Sequence, residues 1–291
     1  MSTPLVSVII SCYNHERYIE AAIRSVLAQT YPAVELLVYD DGSRDGSVAI
    51  IRQLADQHGF FFQPQENRGL AVTLNQGAGR ARGEFVAPFG SDDIMLPQRL
   101  ALQVPWLLEH PEVGVGGGNI IKIDAAGDRH PDKRQRRYPE RIIDFDELFS
   151  LPKMQPPTAT LLFRKTALFD IGGFNPEIKL EDLYVLLKIA EQGWRIGMMA
   201  EELSYYRVHP TNTVKDLRMM HEAVLKTYAC FTQHSGYAKA RSNWINHQFL
   251  RAASRDKALA RTCLRQLPPN AWNMKTLRGL WRLLTSRERS D

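Results

Sequence analysis

Apolar positions in the first hundred residues alternate between two periods. Val6 to Ser11 is a β-branched run that reads as a strand, and Ile19, Ala22, Ile23, Val26 and Leu27 then recur at the spacing of one helix face. Val34 to Tyr39 is a second apolar run, which breaks into Asp40, Asp41, Gly42 and Ser43, a polar turn at the C-terminal end of a strand. A helix is predicted from Asp45 as N-cap through Val48, Ile51 and Leu54 to Gly59. A strand (Phe60 to Gln63), a helix (Gly69 to Arg82) and a strand (Glu84 to Phe89) follow. This βαβαβαβ order predicts an α/β fold, a mostly parallel Rossmann-like sheet flanked by helices, and such sheets bind ligands at the C-terminal ends of their strands. Asp40 and Asp41 lie at one such end, and Asp92 and Asp93 at another.

The pattern is less regular from Trp106 to Asn212. Gly114, Gly116, Gly117 and Gly118 run into Asn119 to Ile123, which reads as a strand, so a closely packed glycine-rich strand is expected rather than a phosphate loop. Lys133 to Arg137 reads as a basic solvated loop. A strand (Thr158 to Phe163), a turn at Gly172 and Gly173, and a helix from Glu181 come next; Leu183, Leu186, Leu187 and Ala190 form its stripe. Asp182 then falls in the first helical turn, near the positive end of the helix dipole. Beyond Val214 the pattern is helical, divided by Pro268 and Pro269. The chain divides on this reading into 1–105, 106–214 and 215–291.

Composition narrows the class. With 291 residues, 44% of them apolar, the chain has the material for a substantial core and is not a disordered sequence. No apolar stretch approaches the ~20 residues of a membrane span. The formal charge of +5 conceals a split: 15 basic and 5 acidic residues from Lys215 onward give +10, and 22 basic against 27 acidic residues before it give −5. Cys12, Cys230 and Cys263 have neither disulfide-framework nor zinc spacing. Leu5 to Cys12 is too short and lacks the basic leader of a signal peptide, so a cytoplasmic chain is expected.

Carboxylates gathered on one rim, without a nucleophilic triad or a Walker-type loop, point to a metal and phosphate site. Mg²⁺ and Mn²⁺ take oxygen ligands, typically one or two protein carboxylates plus substrate phosphates. Asp93 suits the metal, with Asp92 ordering the loop or touching a sugar.

The segments VSVIISCYNHERYIEAAIRSVLAQTY, ELLVYDDGSRDGS, NRGLAVTLNQGAGRARGEFVAPFGSDD, FRKTALFDIGGF, LEDLYVLLKIAEQGWRI and YYRVHPTN together resemble the family 2 glycosyltransferases, over about residues 5 to 212. The resemblance implies a GT-A fold with a nucleotide-sugar half (1–105), an acceptor half (106–214) and a basic helical extension (215–291). It implies an inverting, metal-dependent transfer of one sugar from a nucleoside diphosphate sugar (UDP, dTDP or GDP) to a hydroxyl of a glycan or polyprenyl-linked glycan, in cell-surface polysaccharide synthesis. Ser11, Tyr13 and Asn14 match the loop after the first strand, where the tyrosine ring packs near the base. Asp41 matches the aspartate that reads a uracil-like N–H, with Asp40 beside it, and Arg68 the loop near the base or diphosphate. Asp92 matches the ribose or sugar contact, Asp93 the metal ligand at the end of the DxD motif, here Ser91, Asp92, Asp93. Asp182 matches the general base and His209 a residue that completes the metal or diphosphate site. Ser11 stands where many members have proline, and the QxxRW motif of processive synthases is missing.

Two rivals stand beside this reading. A sugar-phosphate nucleotidyltransferase expects a Gly-rich, Arg- and Lys-containing loop after the first strand, which Ser11 to His15 is not; a catalytically inactive relative would bind nucleotide or glycan as a scaffold. In the tail, Leu277, Leu280, Trp281, Leu283 and Leu284 share one side of a helical wheel, and Lys275, Arg278 and Arg282 another. Such a basic amphipathic helix suits an anionic membrane surface, on the cytoplasmic face of the inner membrane, or else packs its apolar side on the body. Nothing in the body supports nucleic-acid binding.

Overall fold

The structure, a computed structural model, describes residues 3–130, 137–150, 155–209, 212 and 216–286. Of the basic loop at Lys133 to Arg137, only Arg137 lies within them; its guanidinium pairs with Glu202 at 2.8 Å. The chain forms two compact units. The first comprises Met1–Leu148, Lys153–Glu177 and Tyr184–Pro210; the second Phe149–Pro152, Ile178–Leu183 and Thr211–Asp291.

In the first unit, the alternating pattern becomes β1 (Val6–Cys12), α1 (Ile19–Leu27), β2 (Val34–Asp41), α2 (Ser47–His58), β3 (Phe61–Gln65), α3 (Leu70–Arg80) and β4 (Phe85–Gly90). β5 (Ile94–Met95), α4 (Arg99–Glu109), β6 (Val113–Ile123), β7 (Arg141–Ile143), β8 (Leu162–Arg164), α6 (Lys165–Asp170) and β9 (Arg195–Arg207) complete it; α5 is Phe145–Ser150, and α7 Glu181–Glu191. The described strands make one sheet in the order β3-β2-β1-β4-β8-β6-β9-β5, with β7 on β9. Both faces are covered: Val8, Ile10, Ile19, Ile23, Val38, Ile51, Phe85 and Leu100 belong to one buried cluster, and on the opposite face of β1 Ile9 is buried against Gly77 of α3.

The expected α/β sheet flanked by helices is present, with mixed strand directions. β3, β2, β1 and β4 run parallel, but β8 enters antiparallel to β4 and β6, and β5 and β7 lie antiparallel to β9. The later half mixes directions, since β6 and β9 also pair parallel. Other local expectations also shift. Gly46 rather than Asp45 is the N-cap of α2; Asp45, one residue before it, accepts from the N–H and the hydroxyl of Ser47. α3 stops at Arg80 rather than Arg82, whose N–H goes instead to Glu35 at 2.6 Å. Leu27 ends α1 exposed rather than buried. The strand expected from Thr158 opens as a 3-10 turn (Thr158–Thr160) after Pro156 and Pro157, with the Thr160 hydroxyl held on Pro157 O and Gly118 O. The glycine run does form strand β6, and its packing is tight: a Cβ on Gly118 would stand 2.6 Å from Leu203.

The second unit holds α8 (Leu217–Ala229), α9 (Tyr237–Ala252), α10 (Lys257–Gln266) and α11 (Met274–Thr285). Asp216 caps α8, and Asp256 caps α10 while its carboxylate accepts a two-pronged bond from Arg218 at 2.6 and 2.8 Å. Ile245, Phe249, Leu259, Ala260 and Cys263 are its core. Among the described residues, no helix is long and apolar enough to cross a membrane.

Candidate active site

Parallel register brings the chemistry-bearing ends together. Ser11 of β1 pairs with Tyr39 on one side and Gly90 on the other, so the segments that leave β1, β2 and β4 emerge on one rim. These are Tyr13 to His15, Asp40 to Ser43 and Ser91 to Asp93, as the strand order predicts.

The first two segments are laced to each other. Asn14, the one non-glycine residue with positive φ among those described (55°), donates its N–H to Ser43 Oγ at 2.8 Å and accepts Arg44 N–H on its Oδ1 at 2.8 Å. An asparagine tolerates this left-handed backbone because its short side chain bonds locally. Tyr13, just before it, presents a ring that is 46% exposed, and Arg68 is exposed across the rim. Gly42 has φ of +85°, and a Cβ there would strike Asn67 N at 2.8 Å, so the turn requires glycine.

The two carboxylates of this turn have different duties. Asp41 Oδ1 accepts from Arg68 N, Gln65 Nε2 and Thr73 Oγ1, and Oδ2 accepts from Gly69 N, all at 2.9 to 3.1 Å. A strand-end carboxylate thus anchors the loop that leads into α3, at the positive end of its helix dipole. Asp40 Oδ1 accepts Ser43 N–H at 2.8 Å, whereas its Oδ2 is buried without a hydrogen-bond partner among the described residues. An unmet buried acceptor is costly, and functional sites are among the places that retain one.

The third segment gathers the metal-type groups. One ligand atom from each of His15, Asp92 and His209 lies within 4.8 Å of the others. His209 Nε2 is 2.9 Å from Asp92 Oδ2, and His15 Nδ1 is 2.7 Å from Ser91 Oγ. Tyr18 stacks on the His209 ring at 5.3 Å, and the Arg207 guanidinium sits 4.9 Å above Tyr18. Arg207 also pins the acidic loop: its N–H donates to Asp93 Oδ1 at 2.9 Å and its Nε to Asp92 O at 2.8 Å. Gly90 is needed for close approach, since a Cβ there would meet Asp92 Oδ1 at 2.8 Å and Asp93 Oδ2 at 3.1 Å.

Electrostatics follow from this enclosure. Burial, and then the charge of Asp92, push the Asp93 carboxyl up to about 8 against the pull of Arg207 and of the fully buried Arg99. Burial likewise pushes the His15 imidazole down, with Asp92 opposing and His209 adding to the shift. A depressed imidazole is neutral at physiological pH, the form that ligates metal. The donor set fits a divalent cation, and two imidazoles suit a transition metal ion better than Mg²⁺.

Of the residues singled out from the sequence, Ser11, Tyr13, Asn14, Asp41, Arg68, Asp92, Asp93 and His209 all lie in the first unit. Asp93 stands outside the three-residue cluster, and His15, which the sequence reading did not select, stands inside it. His15 follows Tyr13 and Asn14 on the same rim; admitting imidazoles as well as carboxylates to the rim inventory would have found it. Asp182 lies in the first turn of α7, in the segment grouped with the second unit, and its Oδ1 accepts Leu183 N–H at 2.7 Å. Burial, then the charge of Asp182, push the adjacent Glu181 carboxyl up to about 8.

The family model described as Glycosyl transferase family 2 matches residues 7–168. A relative from Nostoc, named only as a glycosyltransferase, is 34% identical over 71% of this chain and 66% of its own length. The amylovoran biosynthesis glycosyltransferase AmsE of Erwinia amylovora is 29% identical over 70% of this chain and 76% of its own. Mannosyltransferase PcManGT from Pyrobaculum calidifontis, solved with GDP-Man and Mn²⁺, shares the fold: its TM-score is 0.64 at 19% identity, over 97% of this chain and 86% of that one. By the match over residues 7–168 and the identity to the Nostoc relative, the chain belongs to glycosyltransferase family 2.

Proposed function

We propose that this chain moves one sugar from a nucleoside diphosphate donor (UDP, dTDP or GDP) to a hydroxyl of a glycan or polyprenyl-linked glycan, with inversion, in cell-surface polysaccharide synthesis at the cytoplasmic face of the inner membrane. The observation that carries the reading is the convergence of Tyr13, the Asp40 and Asp41 turn, and the His15, Asp92 and His209 cluster on one rim of the sheet, in a chain of this family. AmsE, named for amylovoran biosynthesis, supports the biological setting, and PcManGT, solved with GDP-Man and Mn²⁺, supports the donor class.

On this reading, the exposed Tyr13 ring stacks on the base, which needs no specific hydrogen bond. Asp40 offers a base N–H its Oδ2, the oxygen without a hydrogen-bond partner among the described residues. Asp41 holds the loop from Gln65 to Gly69 from below, leaving Arg68 to reach the diphosphate. His15, Asp92 and His209 would hold the divalent cation, their two imidazoles favouring Mn²⁺ over Mg²⁺, with Asp93 adding its charge once ionised. The cation supplies charge neutralisation at the diphosphate leaving group. Asp182 takes the acceptor hydroxyl's proton as that oxygen bonds to the anomeric carbon and the bond from that carbon to the phosphate oxygen breaks. The helix dipole favours its negative charge, and its neighbour Glu181, pushed up to about 8, retains a proton near neutral pH.

A panel of nucleoside diphosphate sugars, assayed for donor hydrolysis and transfer with Mn²⁺, with Mg²⁺ and with chelator, tests the whole. One donor should turn over, best with Mn²⁺. Asp182→Asn should lower transfer by roughly 10²–10⁴ while nucleotide affinity is retained; transfer at the wild-type rate would exclude Asp182 as the base.

A further inference from the structure

The C-terminal helix α11 has two apolar faces, which the helical wheel merges into one. Its inner face is spent on the second unit. Thr276 and Gly279 are buried, and Leu280 and Leu283 pack on the cluster of Ile245, Phe249 and Leu259. The contact with α9 is close: the Thr276 hydroxyl bonds Asn246 Oδ1, and a Cβ on Gly279 would stand 2.5 Å from the Phe249 ring. Asn273 fixes the start of the helix with a capping box.

The remaining apolar side chains point to solvent. Met274, Leu277, Trp281 and Leu284 are 70, 55, 67 and 83% exposed, and they recur every three or four residues, one continuous stripe. Trp272, just upstream, is also exposed. Lys275 and Arg278 project beside the stripe with no carboxylate partner among the described residues, and Arg282 reaches from the same flank to Leu250 O at 3.5 Å. Isolated exposed leucines need no explanation, but a helical stripe containing tryptophan and flanked by unpaired cations does.

We infer that this outer stripe seats the second unit on an anionic lipid surface, with Leu277, Trp281 and Leu284 entering the acyl boundary and Lys275, Arg278 and Arg282 meeting headgroup phosphates. Charge complementarity selects the occupant. The chain from Lys215 onward carries 15 basic and 5 acidic residues, so a negatively charged bilayer is attracted where a second copy of the same basic surface is repelled. The buried inner face holds the helix in place before contact, so binding requires no coil-to-helix ordering. The inference stands apart from the catalytic reading, because no residue of the rim takes part.

The test is flotation of the full chain with vesicles of phosphatidylcholine alone and of phosphatidylcholine mixed with phosphatidylglycerol. The protein should bind the anionic vesicles at least tenfold better, with binding falling as salt rises. Leu277→Gln with Trp281→Gln should abolish binding without changing the melting curve or donor hydrolysis. Lys275→Gln with Arg278→Gln should weaken it by roughly fivefold per charge. Trp281→Phe should keep binding but lose most of the blue shift in tryptophan emission. Three outcomes overturn the inference: no vesicle binding by the wild type, equal binding to neutral and anionic vesicles, or binding indifferent to the outer-face substitutions. A dimer that the same double substitution dissolves, with no vesicle binding, would assign the stripe to a second copy instead.

Discussion

At the scale of single residues, the adjacent carboxylates Asp40 and Asp41 divide two tasks that their sequence positions do not separate. Both end β2 in the DDGS turn, yet Asp41 spends both oxygens on Gln65, Arg68, Gly69 and Thr73 while Asp40 keeps one oxygen unbonded among the described residues. Hydrogen bonds to a charged group are worth about 1.5–3 kcal/mol each, so Asp41→Asn should lower the melting temperature by several degrees. Asp40→Asn should leave melting nearly unchanged and weaken nucleotide affinity about tenfold. Calorimetry with the nucleoside diphosphate, beside thermal melts of both variants, reads the two effects; reversed behaviour would return the base contact to Asp41. The resemblance of the turn to a known motif located the pair. Assigning each oxygen required knowing which backbone N–H groups of the 66–69 loop fold beneath it.

Among elements, the amphipathic pattern was the most legible signal and α11 shows its limit. α7 buries Leu183, Leu186, Leu187 and Ala190 as its stripe predicts, and β1, β2 and β4 lie within a residue or two of their expected places. In α11 the wheel grouped Leu280 and Leu283 with Leu277, Trp281 and Leu284, because periodicity reports an apolar arc and not how wide a neighbour covers it. Gly279 decides the division: its missing side chain brings α11 against Phe249, and the leucines on that side are covered while those beyond it are not. Gly279→Val should therefore destabilise the second unit by about 1–3 kcal/mol, seen as a lower melting transition. Retained stability would mean that the Phe249 ring moves aside and that the close approach is dispensable. The β-sheet carries a similar lesson, since β8 and its neighbours turned antiparallel where nothing in the strand pattern marks direction.

For the whole molecule, pH links the site to stability. Asp93, pushed up to about 8, keeps its proton in the folded protein over a range where the unfolded chain has already released it. Metal-free stability should accordingly fall as pH rises from the ordinary carboxylate range to about 8 and level off above that. Asp93→Asn removes this contribution, whereas Glu181, also pushed up to about 8, contributes equally to both proteins. In chelator, the variant should melt above the wild type at pH 8, and the gap should close toward about pH 5; a gap independent of pH would show that Asp93 ionises freely in the fold. Mn²⁺ should raise the wild-type melting temperature more at pH 8 than at low pH, because its ligands must be deprotonated. Alternation of strand and helix, the rim where strands end in acidic turns, the family and the basic tail were determined by the sequence itself, since each is carried by periodicity, order and composition along the chain. The tertiary structure alone decided that His15 joins Asp92 and His209, that Asp41 anchors the loop before α3 while Asp40 keeps one oxygen unbonded among the described residues, and that α11 turns a second apolar face outward. Those outcomes depend on which groups from distant segments fill each valence and cover each surface, and local sequence carries no record of that.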